Sequence, residues 1–190
     1  MINEQTLVLL KPDAILRGLT GEIINRFERV GLKIAAIKML QATEDQLAEH
    51  YFKDDEWLIE KGKKIIQNKN YSQDYDPKSA GQEIVNGLVK DMQLSPIIAM
   101  VLEGHNAVNV VRKICGPTNV EEALPGTIRG DYSHDTFSLA NVSDRPIITV
   151  IHASGDLEDA KKEIGIWFRP EEIHSYEKAD SPIHYRKQNQ

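Results

Sequence analysis

The chain has almost no cysteine, no excess of positive charge and no long apolar run. Cys115 is its single cysteine, so no internal disulfide can form and a reducing compartment is the expected setting. Acidic residues number 29 against 23 basic ones, a net charge of −6. That balance argues against nucleic-acid binding and against attraction to an anionic membrane. No hydrophobic stretch approaches the ~20 residues of a membrane span. The opening segment, Met1 to Ala14, shows no basic leader and no cleavage site, so a cytoplasmic location without a membrane partner is expected. Two phosphate-binding signatures are missing as well, the Walker A loop and the glycine-rich dinucleotide fingerprint. Any phosphate site would have to be built from side chains.

What is present is an ordinary globular composition, 41% hydrophobic and 27% charged over 190 residues, enough for one domain that buries ~70% of its unfolded surface. Residues 6–10 (Thr-Leu-Val-Leu-Leu) form a continuous apolar run, the pattern of a central strand. Pro12 ends it and keeps Lys11 extended. Thr20 offers a cap to a helix whose Ile23, Ile24, Phe27 and Val30 share one face, with Gly31 as its stop. A second strand is expected over 33–41. The box Thr43-Glu-Asp-Gln46 then opens a helix carrying His50 and Tyr51.

Residues 53–81 break this rhythm. They read as an inserted subdomain on the surface, helical around Glu56 to Gln67 and loop-like from Asn68 to Gly81. Helix signals resume from Gln82 to Met92, and a third strand is expected over Ile97 to Leu102. His105 or Asn106 caps a further helix that ends at Gly116-Pro117 and carries Arg112 in its last turns. The long loop to Arg129, with one possible helical turn near Val120, gives weight to Thr118 and Arg129, because loops of this length are uncommon unless functional. Residues 132–145 read as a second, loop-like insertion, and 169–190 as a C-terminal extension that opens with a short helix at Pro170. The fold expected is α+β: a ferredoxin-like βαββαβ antiparallel sheet with helices on its faces and two surface insertions.

The last strand is expected over Ile147 to Ile151, with His152 where it ends. Asp156 can cap the next helix, whose apolar stripe Leu157, Ala160, Ile164 and Trp167 is bordered by Glu163. A carboxylate near the core side wants a partner, and the imidazole of His152 is at hand. Histidine, with an ordinary pKa of ~6.5, suits nucleophilic work when a carboxylate fixes its tautomer and steadies the cation formed on attack. The plainer reading of His152 is a hydrogen-bonded histidine capping a strand. For Lys11 it is a solvated strand end, and for Arg112 a cation complementing a helix dipole. Together with Tyr51, Thr118 and Arg129, however, these groups make a sensible polyphosphate site, since phosphoryl transfer asks mainly for positioning and neutralised charge.

Seven stretches in order carry a resemblance. Leu-Lys11-Pro12-Asp13, Arg17-Gly18-Leu, Gly21-Glu-Ile-Ile, His50-Tyr51, Pro125-Gly-Thr-Ile-Arg129-Gly-Asp131, Ile151-His152-Ala-Ser154 and Ala160-Lys-Lys-Glu163-Ile-Gly-Ile-Trp-Phe168 resemble the nucleoside diphosphate kinase family across nearly the whole chain, outside the insertions and the tail. The resemblance implies one kinase-like domain over 1–190 and a ping-pong enzyme that moves the γ-phosphate of a nucleoside triphosphate onto His152 and then onto a nucleoside diphosphate. It implies that Glu163, supported by Ser154, orients the histidine. Arg112, Thr118 and Arg129 would hold phosphates, Tyr51 would lie near the transferred group, and Lys11 would bridge phosphate and ribose. No residue is implied as a direct metal ligand; Mg2+ would arrive on the nucleotide phosphates. A homo-oligomer, tetramer or hexamer, is implied too.

Three positions depart from the family pattern. Thr149 stands where the family usually has a ribose-contacting asparagine, and strict alternation would turn it away from His152 unless the strand starts late or bulges. Asp156 comes one place late after His152-Ala-Ser154-Gly. The aromatic base platform falls at Ile84 and Val85, which an aliphatic surface, or Trp57, Tyr71 or Tyr75 of the insert, would have to replace. Two rival readings are a nucleotide-binding regulatory protein with lost turnover and a structural ferredoxin-like subunit. The oriented imidazole weighs against the first, and the converging cations against the second.

Overall fold

The computed structural model describes residues 3–69, 72 and 74–185. Four antiparallel strands, β1 (Asn3–Leu10), β2 (Lys33–Leu40), β3 (Ile97–His105) and β4 (Ile151–Ala153), form one sheet in the order β2-β3-β1-β4. With α2 (Thr20–Arg29) between β1 and β2 and α6 (Ala107–Cys115) between β3 and β4, the core is the expected βαββαβ unit. β1 lies at its centre, and Leu7, Val8, Leu9 and Leu10 are all fully buried. Their period-two alternation sends Leu7 and Leu9 into one apolar cluster and Val8 and Leu10 into another. Burial on both faces explains why this strand reads as an unbroken apolar run. Each such side chain contributes about 1.5–3 kcal/mol.

One face is covered by α2 and α6, which contribute Ile23, Phe27, Val111 and Cys115. The other is covered by α3 (Glu44–His50), by α5 (Pro77–Met92) and by α9 (Leu157–Trp167), through Leu47, Val85, Met92 and Trp167. The capping box of α3 is present: Thr43 accepts from the Gln46 backbone N–H, and Gln46 accepts from that of Thr43. Two elements begin differently from the sequence expectation. Thr20 is the first helical residue of α2 and Leu19 takes the cap position. A short α1 (Pro12–Leu16) follows β1 at once, with Lys11 extended before Pro12.

The stretch 53–81 is more helical than its sequence suggests. Its α4 (Asp55–Lys69) packs against α5, and α5 starts at Pro77, not Gln82. The reason is local: Asp76 caps it by accepting from the Ser79 N–H, and Pro77 fills the first helical position. The two helices meet at glycines, since a Cβ on Gly62 would run into the Pro77 carbonyl and one on Gly81 into that of Leu58. Leu58 and Ala80 are buried, Leu58 in the cluster that holds Leu7 and Trp167. The stretch 132–145 likewise contains structure, the end of α7 (Ile128–Tyr132) and all of α8 (Phe137–Val142), each capped by a threonine, Thr127 or Thr136.

The last strand is shorter than the apolar run that announced it. β4 covers only Ile151–Ala153, so His152 sits inside it and pairs with Leu9. Residues 147–149 join no ladder, and the polar groups of Ile148 go to side chains instead: it donates to Asp135 Oδ2 at 2.6 Å and accepts from Ser133 Oγ at 2.8 Å. Val150 then has φ +64° while Ile151 N–H reaches back to the Thr149 carbonyl at 2.6 Å, a γ-turn. Beyond α9, a 3-10 turn at Pro170–Glu172 leads into a tail that lies along β2. His174 donates to the Ala35 carbonyl, Tyr176 to that of Ile34, and Lys178 to that of Gly31. It ends in α10 (Ser181–Tyr185). Among the described residues, no helix is long and apolar enough to cross a membrane.

Candidate functional site

The site forms where the end of β1, the start of β4 and the C-terminal ends of α3 and α6 come together. β4 is held against β1, which places His152 opposite Leu9 and two residues from Lys11 along the neighbouring strand. Across from it, α9 is set by Asp156, whose Oδ1 accepts from the Glu158 and Asp159 N–H groups at 2.8 Å each. Asp156 is therefore the helix cap, the use its late position permits.

Glu163 projects from α9 toward both ends of the motif. Its Oε1 lies 3.0 Å from His152 Nε2, and its Oε2 accepts from Ser154 Oγ at 2.6 Å. Ser154 is fully buried and also accepts from the Leu7 backbone N–H at 3.2 Å, so the central strand anchors the group that anchors the carboxylate. Burial pushes the Glu163 carboxyl up, but the His152 and Ser154 hydrogen bonds and the His152 charge together bring it below its ordinary value. An ionised Glu163 can only accept, so Nε2 of His152 carries the proton and Nδ1 keeps its lone pair. That is the state a nucleophile needs.

The cations are positioned differently from one another. Arg129, on α7, is buried, and donates to the Gly116 carbonyl at 2.5 Å and to the Ile151 carbonyl at 2.8 Å, while its Nε has no partner among the described residues. Burial, with Arg112 nearby, holds its pKa below the usual arginine range. Arg112, exposed at the end of α6, reaches the Ser154 carbonyl at 3.4 Å. Lys11 is buried at 7% exposure. Burial lowers its pKa, Asp91 and Asp13 work against that, and Arg129 adds to it. Among the described residues it has no ion-pair partner within 4 Å, which suits a cation kept for a ligand.

Tyr51 caps the C-terminus of α3, and its hydroxyl is buried without a partner among the described residues. Burial raises its pKa, so it stays a donor. Thr118 stands exposed on the loop after α6, and Thr149 is buried at 3% exposure just before the γ-turn. Because β4 starts only at Ile151, strand alternation does not govern where Thr149 points. Of the base-platform candidates, Val85 lies in the core cluster, Trp57 is partly buried with Lys53 and Lys61 over its ring, and Tyr75 donates to Glu83. Tyr71 lies outside the described residues.

Two residues beside His152 were not singled out from sequence. His50 meets the His152 ring edge to face, centroids 4.5 Å apart, and Trp167 donates its indole N–H to His50 Nδ1 at 3.3 Å. The signals are the position of His50 beside Tyr51 and the four-residue spacing of Glu163 and Trp167, the latter read only as part of an apolar stripe. His50, His152 and Glu163 offer three metal-ligand atoms within 4.8 Å of one another. Two imidazoles and a carboxylate suit a softer ion than magnesium, and all three are already bonded to one another or to Trp167.

Known proteins resemble this chain in sequence and in fold. The family model described as nucleoside diphosphate kinase matches residues 4–57 and 52–173. A nucleoside diphosphate kinase of Pyrobaculum aerophilum is 45% identical over 180 residues, covering 90% of this chain and 97% of the relative. One of Borreliella burgdorferi is 40% identical, covering 97% and 99%. In structure, the P. aerophilum enzyme superposes with a TM-score of 0.84 at 42% identity, covering 91% of this chain and all of that one. A transition-state mimic of the Borrelia burgdorferi enzyme with vanadate and ADP bound superposes at 0.80 and 39% identity, covering 97% and 98%. The chain belongs to the nucleoside diphosphate kinase family, the phosphotransferases that pass the terminal phosphate of a nucleoside triphosphate to a nucleoside diphosphate.

Proposed function

We propose that His152 is the phosphate carrier of this kinase and that the reaction runs in two halves through it. In the first, the Nδ1 lone pair attacks the γ-phosphorus of the triphosphate, the bond to the β-phosphate oxygen breaks, and the diphosphate leaves with that electron pair. In the second, a terminal oxygen of another diphosphate takes the phosphoryl group from Nδ1. Nε2–H stays on Glu163 throughout, and the carboxylate stabilises the positive charge the ring gains. The single observation that carries this reading is the 3.0 Å contact of His152 Nε2 with Glu163 Oε1, backed by Ser154 at 2.6 Å.

Lys11, Arg112, Thr118 and Arg129 would bind the phosphates, with Lys11 also toward the ribose, and Tyr51 would donate to the transferred group. Thr149 would make a weak or water-bridged ribose contact. Mg2+ is substrate here, entering on the nucleotide and neutralising phosphate oxygens; the three cations and the nitrogen-rich cluster at the site are no oxygen cage for a resident magnesium. The insertion 53–81 would form the rim of the nucleotide mouth or alter packing between copies. A homo-oligomer is supported by edge strand β2, where Ile37 and Met39 are 48% and 59% exposed. The reducing setting implied by a lone buried Cys115 supports a cytoplasmic enzyme.

The test is incubation with terminally labelled ATP. The wild type should form an acid-labile, base-stable phosphoprotein that discharges to added diphosphate, and His152→Ala should form none while keeping its fold. Normal labelling of that variant, or a label on His50 or His105, would overturn the assignment.

A further inference from the structure

Helix α9 grips the nucleophile region twice. Glu163 bonds His152 directly, and one turn later Trp167, 1% exposed, holds His50 by its indole N–H. The His50 side chain is 1% exposed. Its ring stands edge to face against His152, at 4.5 Å and an interplanar angle of 80°, and against Tyr51 at 4.8 Å. With Nδ1 accepting from Trp167, a neutral His50 must carry its proton on Nε2. Nδ1 also lies 4.0 Å from Glu163 Oε1, the same oxygen that His152 uses.

The geometry points to His50, braced by Trp167, as a positioning residue that fixes the rotation of the His152 ring and leaves Glu163 Oε1 to His152 alone. This rests on the reading of His152 as the phosphate carrier. A wall 4.5 Å from the ring centre leaves the imidazole little room to turn about its last torsion. A neutral neighbour matters equally, because a cationic His50 would draw the carboxylate off Nε2. The groups facing His50 are His152 on β4, Glu163 on α9, Lys11 beyond β1 and Lys53 beyond α3. Burial first, then the His152 charge, lowers the His50 pKa to about 3, with Lys11 and Lys53 adding to that and Glu163 alone opposing it. His50 therefore stays uncharged wherever the kinase works, and a phosphoryl dianion arriving on His152 finds no second imidazolium to pair with.

Trp167→Phe tests the brace, since it keeps the bulk and removes the N–H. Its kcat and its rate of phosphoenzyme formation should fall ~10-fold or more, the scale of a misaligned reacting group, while KM for the diphosphate stays within about twofold. The acid limb of kcat should move to higher pH, because His50 can then protonate and compete for Glu163. His50→Gln, which keeps an acceptor for the indole and carries no charge, should retain more of kcat than Trp167→Phe and show no such move. The wild type needs no variant: two-bond 1H–15N NMR should find His50 as the Nε2–H tautomer, without titration over about pH 5 to 8. The proposal is overturned by unchanged kcat and pH profile in folded Trp167→Phe, or by a wild-type His50 that carries its proton on Nδ1 or titrates in that range. Label that fails to appear on wild-type His152 would sink the carrier reading instead, a result read separately from the tautomer.

Discussion

Lys11 donates its backbone N–H to the carbonyl of Val150 at 3.0 Å, which ties the end of the central strand to the γ-turn that launches β4. Val150 is fully buried and β-branched, yet its φ is +64°, a region such residues adopt only under constraint. The strain sits two residues before His152, and that cross-strand bond is one of the contacts that maintain it.

The first prediction follows from that turn. Cutting Val150 back to alanine loses buried methyls and keeps the strain, whereas glycine loses slightly more side chain and relieves it. Val150→Gly should therefore be the more stable of the two by ~1 kcal/mol or more, the reverse of the usual order in a strand. Urea unfolding of both variants measures it, and the ordinary order, alanine above glycine, would show that the backbone is unstrained.

The two arginines should separate by stability. Arg129→Ala breaks bonds to Gly116 and Ile151, so it should lower both turnover, by ~10²-fold or more, and stability, by ~1–3 kcal/mol. Arg112 is exposed and, among the described residues, bonds only to the Ser154 carbonyl; its alanine variant should lose turnover on a similar scale while stability stays within ~0.5 kcal/mol. Near-normal kcat/KM in Arg112→Ala would return that residue to the helix-dipole reading.

Ser154→Ala removes a donor from an ionised carboxylate and leaves the Leu7 N–H short of an acceptor. A carboxyl depressed in the fold adds stability that is present above its unfolded pKa of ~4.3 and is lost as pH falls through the folded value. Without Ser154 the Glu163 pKa rises, so the stability deficit should be largest, ~1.5–3 kcal/mol, near pH 7 and shrink toward pH 4. A deficit independent of pH, read from denaturant midpoints across that span, would mean that only packing was lost.

His50 acts in the same direction over a higher pH range. Its folded pKa is about 3 against an ordinary 6.5, so between those values the unfolded chain binds the extra proton. Stability from this group is complete above the ordinary value and falls as pH drops, by up to ~1.4 kcal/mol per pH unit. His50→Gln should flatten that slope, and an identical slope in wild type and variant would place the acid sensitivity elsewhere.

Much of the site was legible because its residues stand at the ends of strongly patterned elements. The apolar run of β1 announced Lys11, the stop at Gly116 announced Arg112, and the four-residue step from Glu163 to Trp167 set one helix face. The capping boxes and caps at Thr43 and Asp156 worked locally and were read locally. Two elements differ from the expectation because side-chain contacts override the composition of the stretch. The run Ile147 to Ile151 has a strand's composition, but Asp135 and Ser133 claim the polar groups of Ile148 and the ladder begins only at Ile151. Pro77 within a lysine-rich stretch looked like loop and is instead the first residue of α5, because Asp76 caps it.

The sequence by itself determined the family, the βαββαβ order and the pairing of an imidazole with a carboxylate, since motifs and period-two or 3.6-residue patterns are properties of neighbouring residues. The tertiary structure decided which carbonyls Arg129 spans, that Val150 turns through positive φ, and that His50 is a neutral wall against His152. Those depend on burial and on partners from other elements of the fold, and a desolvated ring or a strained turn exists only once the surrounding chain has closed over it.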